Sequence, residues 1–270
     1  MVRVTLLQLR TSEDEPTSRR VSRVLRLIEA ERDRADLVML PEMWSVGAFA
    51  DPDTVTAAAE PLNGQLATSL GQAAKAAGLW LHAGSIPEIV DDALHNTSLL
   101  FAPDGQLRAT YRKIHLFGFD AGEAAIMTGG GQVVVTGTPL GRTGLSTCYD
   151  LRFPELYREL LNLGAGTFLI PAGWPTARIE TWELLARARA IENQAFVFAC
   201  NAAGISGGVS LGGRSLVVGP CGEVLAMADS DEERLSVDVD LTQVARSRAE
   251  FPVLADRRMT GPPWIPASAE

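Results

Sequence analysis

The order strand, helix, strand, helix, strand, hairpin runs along this chain twice, and that repetition restricts the fold more than any single motif. In the first pass, residues 1–9 read as a short buried strand. Residues 16–35 carry Val21, Val24, Leu25 and Ile28 at the i, i+3, i+4, i+7 spacing of an amphipathic helix. Residues 36–40 form a compact apolar run ending in Pro41-Glu42, so this strand carries a carboxylate at its C-terminal end. Residues 62–77 predict a second helix, stopped by Gly78. Residues 79–90 are strand-like again, and 96–102 and 106–114 flank the turn Pro103-Asp104-Gly105 as a hairpin.

The second pass repeats the order. Residues 133–135 and 144–147 are strand-like, 154–163 helical, and 167–170 a strand ending in Pro171. A long helix over 176–193, a strand over 195–200 and a hairpin of 214–219 with 223–227 complete it. A sheet in each half, with its helices on one face, buries most apolar surface when the two sheets pack together. The expected fold is therefore α/β, a four-layer α-β-β-α sandwich of two internally similar halves. No linker interrupts the first 240 residues, so residues 1–248 are expected to form a single domain. Residues 249–270, with Pro252, Pro262, Pro263 and Pro266, are expected to run as an irregular tail over the domain or a neighbouring subunit.

Charge and cysteine usage narrow the function. A net charge of −9 in 270 residues argues against nucleic acid as a partner, which needs a basic face. No apolar run approaches the ~20 residues that span a bilayer, so no membrane partner is expected. The cysteines (Cys148, Cys200, Cys221) and histidines (His82, His95, His115) show neither CxxC nor HExxH spacing, which disfavours a disulfide framework or a zinc site. The opening Val2-Arg3-Val4-Thr5-Leu6-Leu7 lacks a signal-peptide cleavage site, and a cytoplasmic protein is expected.

Three segments set ionisable groups at element ends. Glu42 follows Leu40-Pro41, Lys113 closes a hairpin strand, and Cys148 stands between a strand and the helix that Pro154 opens. A thiol at such a junction is expected to be exposed at the sheet edge, close to unspent backbone N–H groups that stabilise a thiolate and form an oxyanion hole. Glu42 could serve as its base and Lys113 as its positive neighbour, so no His is required.

Leu40-Pro41-Glu42, Tyr111-Arg112-Lys113-Ile114-His115-Leu116-Phe117 and Cys148-Tyr149-Asp150-Leu151-Arg152-Phe153-Pro154-Glu155 together resemble the Glu–Lys–Cys signatures of the nitrilase superfamily of carbon–nitrogen hydrolases. The resemblance runs over about residues 2–240 and includes Arg187 to Asn193 and Gly213-Arg214-Ser215. The wording around Lys113 and Cys148 is most similar to the ω-amidase and deaminated-glutathione-amidase branches. It implies that Cys148 attacks an amide carbonyl, Glu42 shuttles the proton, and Lys113 with the backbone N–H of Tyr149 meets the oxyanion. It further implies a second Glu between the Lys and Cys motifs; Glu123, ahead of Gly129-Gly130, is the candidate, although Ala and Gly stand where family members often carry polar residues and Pro.

The activity so implied is thiol-dependent hydrolysis of a small carboxylate-bearing amide through a Cys thioester, releasing ammonia without metal or organic cofactor. Ureido or N-acyl amide hydrolysis by the same residues is the alternative. A non-catalytic binding or assembly module of the same fold is the rival from another class, disfavoured because nothing physical would retain the Glu–Lys–Cys cluster. The resemblance also implies a homodimer or higher homo-oligomer.

Other residues admit two readings. Asp150 and Arg152 form either a salt bridge fixing the loop after Cys148, or leave Arg152 free to read a substrate carboxylate. Trp174 either walls the acyl pocket or packs. His115 is expected to be a structural hydrogen-bonding residue, Cys200 core, Cys221 a hairpin-turn residue, and Asp229 to Glu233 a solvated turn.

Overall fold

The computed structural model describes residues 1–118 and 122–258. In chain order the first half contributes β1 (Val2–Gln8), β2 (Arg10–Thr11), α1 (Thr17–Glu29), β3 (Leu37–Met39), α2 (Pro52–Ala58), α3 (Gln65–Ala77), β4 (Trp80–Val90), β5 (Ala93–Phe101), β6 (Leu107–Arg112) and α4 (Glu123–Ile126). The second contributes β7 (Val135–Thr138), β8 (Gly141–Leu145), α5 (Pro154–Asn162), β9 (Thr167–Ala172), α6 (Ile179–Asn193), β10 (Phe196–Asn201), β11 (Ala203–Ser206), β12 (Val209–Gly212), β13 (Leu216–Val218), β14 (Val224–Met227), β15 (Glu233–Val239) and α7 (Thr242–Glu250).

Two six-stranded sheets result, ordered β15-β1-β3-β4-β5-β6 and β7-β8-β9-β10-β13-β14. In each, three adjacent parallel strands (β1, β3, β4 and β8, β9, β10) are flanked by antiparallel neighbours, so the halves match strand for strand. β15, late in the chain, closes the first sheet against β1. A small third sheet, β12-β11-β2, joins the halves at one rim.

Alternation along the strands makes the sandwich. Leu6, Leu37 and Met39 face the second sheet and share a core with Leu169, Phe196 and Phe198. Their chain neighbours Leu7, Val38 and Leu40 point the other way, under Val24 and Ile28 of α1 and Leu70 and Ala74 of α3. On the far side, Leu156 and Leu160 of α5 and Trp182 and Ala186 of α6 cover the second sheet. Among the described residues no helix is long and apolar enough to cross a membrane.

Several boundaries differ from the sequence reading. α1 stops at Glu29 rather than residue 35, because Glu31 turns inward, where its carboxylate meets Thr5 Oγ1 (3.2 Å) and the Arg234 guanidinium (2.5 and 2.6 Å). The strand placed at 133–135 lies at Val135–Thr138 and pairs with β8 across a tight turn at Pro139-Leu140. The β4–β5 hairpin turns at Asp91-Asp92 and the β11–β12 hairpin at Gly207-Gly208, all with positive φ. That is the geometry two-residue hairpin turns demand, and the Gly-Gly pair was a legible signal for it. α7 runs through Glu250, across the expected 248/249 boundary. After it, Gln194 Nε2 donates to Phe251 O (2.8 Å) and Arg257 to Asn162 Oδ1 (3.0 Å). Residues 259–270, including Pro262, Pro263 and Pro266, lie outside the described residues.

His82 in β4 is fully buried, with no hydrogen-bond partner for either ring nitrogen among the described residues. Burial lowers its pKa from 6.5 to about 4. Its folded pKa lies below its unfolded one, so the stability it secures is present above pH 6.5 and lost as pH falls toward 4. In denaturant titrations, His82→Leu is expected to remove about 2 kcal/mol of the wild-type stability loss between about pH 7 and pH 4.5. An equal loss in both proteins would refute this.

Candidate active site

The parallel strands of both sheets end at one edge, where open α/β sheets bind ligands. After β3, Leu40 N donates to His82 O (2.9 Å) and Ser85 N to Pro41 O (3.3 Å). Gly84 (φ +65) makes the close approach possible, since a Cβ there would fall 1.8 Å from Pro41 O. Glu42 is thereby held beside the end of β9, its Oε2 accepting from Gly173 N (2.9 Å). A Cβ on Gly173 would strike Ala48 at 2.1 Å.

Lys113 follows β6 directly, with its N–H on Asn96 O (2.9 Å) of β5. Strand alternation sends Arg112 outward to a two-point pairing with Glu88 (2.8 and 2.8 Å) and Lys113 inward. Lys113 Nζ donates to Glu42 Oε1 (2.7 Å) and Glu123 Oε2 (2.6 Å). Asn96 Nδ2 spans the same carboxylates, at 2.9 Å to Glu42 and 2.6 Å to Glu123. Phe117 N donates to Glu123 Oε2 (3.0 Å), fixing the first residue of α4.

Cys148 opens a 3-10 turn, Cys148–Arg152, and sits at φ +47, a conformation L-residues other than Gly seldom adopt. As the second residue of that turn, Tyr149 presents an N–H with no carbonyl partner inside the helix. Asp150 holds the turn. Its carboxylate accepts from Thr147 N (2.9 Å), Tyr111 OH (2.7 Å) and His115 N (3.0 Å), and pairs with His115 Nδ1 (2.7 Å). The Asp150–Arg152 salt bridge considered above does not form, because these partners use the carboxylate fully. His115 has the structural role expected of it, stacked on Phe153 at 3.7 Å.

The thiol differs from its expectation in exposure. Cys148 is buried, 9% exposed, at the bottom of the cavity it lines. Burial raises its pKa well above the usual thiol value, the Glu42 carboxylate adds to that, and the pull of Lys113 does not compensate. Lys113 stays protonated: burial opposes its charge, but Glu123 and Glu42 outweigh burial and raise its pKa well above the ordinary lysine value. The Glu123 pKa is raised, by burial first and then by Glu42, against the pull of Lys113.

Glu42, Lys113, Glu123 and Cys148 all line one cavity of about 160 Å³. That is below the ~300–1,000 Å³ typical of pockets for drug-sized ligands, so a small substrate fits. Phe117, Tyr149 and Trp174 form aromatic walls, with Phe117 and Tyr149 edge-to-face at 5.3 Å. Arg152 lies over the Trp174 ring, 5.0 Å from its centroid, and lines the cavity together with Arg178. Asn96, Gly173 and Arg178 were not singled out from the sequence. The hairpin register that pairs Thr97 with Arg112 sets Asn96 beside Lys113, and it was the available signal for that residue. Among the described residues no group of three or more His, Cys, Asp or Glu is placed to hold a metal ion.

The profile of the family described as carbon-nitrogen hydrolase matches residues 3–249. The chain belongs to the carbon-nitrogen hydrolase family. Among relatives of this carbon-nitrogen hydrolase, the 2-oxoglutaramate amidase of Paenarthrobacter nicotinovorans is 42% identical over 263 residues, covering 94% of this chain and 89% of that one. The human omega-amidase NIT2 is 36% identical, with 95% of each chain covered. The crystal structure of Saccharomyces cerevisiae Nit3, from branch 10 of the nitrilase superfamily, superposes with a TM-score of 0.86 at 29% identity, covering 95% of this chain and 96% of that one. The four-layer sandwich is therefore the carbon-nitrogen hydrolase fold.

Proposed function

We propose that this carbon-nitrogen hydrolase cleaves the terminal amide of a small monoamide that bears a carboxylate at its other end, as its amidase relatives' names suggest. The observation that carries the reading is the buried lattice of Glu42, Lys113, Glu123 and Asn96 facing Cys148 in a cavity that Arg152 also lines. Burial pushes the Cys148 thiol pKa up, so the base acts during attack. Glu42 takes the thiol proton as Sγ bonds to the amide carbon, and the carbonyl oxygen becomes an oxyanion facing Lys113 Nζ and Tyr149 N–H. The intermediate collapses, the C–N bond breaks, and Glu42 returns the proton to the departing ammonia. Water then loses a proton to Glu42 and attacks the thioester, freeing the carboxylic acid and restoring the thiol. Glu123 and Asn96 position Lys113 throughout, and Arg152 pairs with the substrate carboxylate.

The reading is tested by ammonia release from a panel of short amides. Release strongest for a dicarboxylic monoamide such as 2-oxoglutaramate supports it. Release confined to ureido or longer N-acyl compounds would replace it with those activities, and silence toward every compound would favour the non-catalytic reading. We further infer a cytoplasmic homodimer, supported by the exposed apolar Leu184 and Ile191 of α6 and nearby Phe251. Sedimentation as a monomer at micromolar concentration would remove the dimer.

A further inference from the structure

The carboxylate end of the cavity holds more positive charge than Arg152 alone. Arg178 closes the short turn Thr176–Arg178 after β9 and lines the same cavity. Two contacts place it there. Its backbone O accepts from Trp174 Nε1 (2.9 Å), and its guanidinium stands 6.0 Å from the centroid of the Phe117 ring. Trp174 thus serves both cations, its ring face under Arg152 and its indole N–H on the Arg178 backbone. Among the described residues neither Arg152 nor Arg178 lies within salt-bridge distance of a carboxylate, whereas Arg20, Arg23, Arg112, Arg189, Arg214 and Arg234 all do.

The floor of the cavity makes that free charge consequential. Glu42 and Glu123 surround a single cation, Lys113, and the whole chain carries −9. An anionic substrate entering such a site meets repulsion unless cations at the wall offset it. We infer that Arg178, its guanidinium beside the Phe117 ring, is a specificity-determining residue that reads the substrate's distal carboxylate together with Arg152 on the Trp174 ring. This rests on the amidase reading above and extends it to a second guanidinium. Arg178 is exposed, so its effect is expected in substrate capture more than in chemistry, and it weakens as salt is raised.

The test compares Arg178→Gln and Arg178→Lys with wild type on succinamate, an anionic monoamide, and on butyramide, a neutral amide of similar length. Arg178→Gln is expected to raise KM for succinamate about 10-fold, with kcat changing much less. KM for butyramide should move far less, and Arg178→Lys should recover part of the loss. Equal losses on both amides would mean that Arg178 only supports the Trp174 loop, and no change on either would mean that it does nothing; both outcomes overturn the inference. Glutarate binding by calorimetry gives a readout independent of turnover. Affinity should fall by a similar factor in Arg178→Gln, while equal glutarate affinity in variant and wild type, or none in either, overturns the assignment. If wild type hydrolyses no amide yet binds glutarate through Arg178, the proposed reaction fails and the anion site stands.

Discussion

Cys148→Ala is expected to lower ammonia release by about 10,000-fold or more, the scale seen when a covalent nucleophile is removed from a coupled catalytic group. The reason is specific to this pocket. Glu42 is the base nearest the sulfur and is already engaged by Lys113, Asn96 and Gly173 N–H, so it is poorly placed to activate a water in place of the thiol. The fold should tolerate the change. Ala and Cys pay the same strain at φ +47, and losing one sulfur from a site 9% exposed costs on the order of 1 kcal/mol. Intact-mass spectrometry of wild type during turnover should show an acyl adduct on Cys148 that the variant lacks. Turnover by Cys148→Ala within tenfold of wild type would dismiss the thioester scheme.

Lys113→Met is expected to abolish activity and also to destabilise the protein, which distinguishes it from Cys148→Ala. Lys113 is 2% exposed and is the only cation that Glu42 and Glu123 contact among the described residues. Removing one partner from a buried ionic cluster typically costs about 3–5 kcal/mol, because the remaining charges stay desolvated and unpaired. The penalty must depend on pH. Without Lys113, Glu123 loses the charge that holds its raised carboxyl pKa down, and a group with a raised folded pKa stabilises at low pH and loses that contribution as pH rises. The wild-type Glu123 carboxyl is already raised by burial. The gap between variant and wild type, measured by denaturant titration, should therefore be larger at about pH 8 than at about pH 5. A gap that is flat with pH or below about 1 kcal/mol would show that the lattice does not depend on its cation.

Much of the fold was legible because its cause is local and periodic. The stripe Val24–Ile28, the stop at Gly78, Pro154 at the head of α5 and the apolar runs of β3, β9 and β10 are each written in consecutive residues. What failed also failed for physical reasons. α1 ends where Glu31 finds Arg234, a partner some two hundred residues away, and no window around residue 31 contains that attraction. β15 was missed although Leu235-Ser236-Val237-Asp238-Val239 alternates with period 2, because it follows the acidic run at 229–233 and its partner β1 lies at the other end of the chain.

The site divides in the same way. Sequence alone determined that Glu42, Lys113 and Cys148 stand at the ends of strands, and the resemblance added Glu123, because end positions and motif wording are properties of the chain as written. Tertiary structure alone decided the rest. It brought Asn96 and Gly173 N–H onto Glu42, gave Asp150 to Tyr111 and His115 instead of Arg152, and set Arg152 and Arg178, with no carboxylate partner among the described residues, at the cavity wall. It also pushed the Cys148 thiol pKa up. A pKa is set by the water excluded and the charges gathered around a group, and for Cys148 both come from segments far from it in the chain: Glu42 on one half, Gly173 on the other, and Lys113 between them.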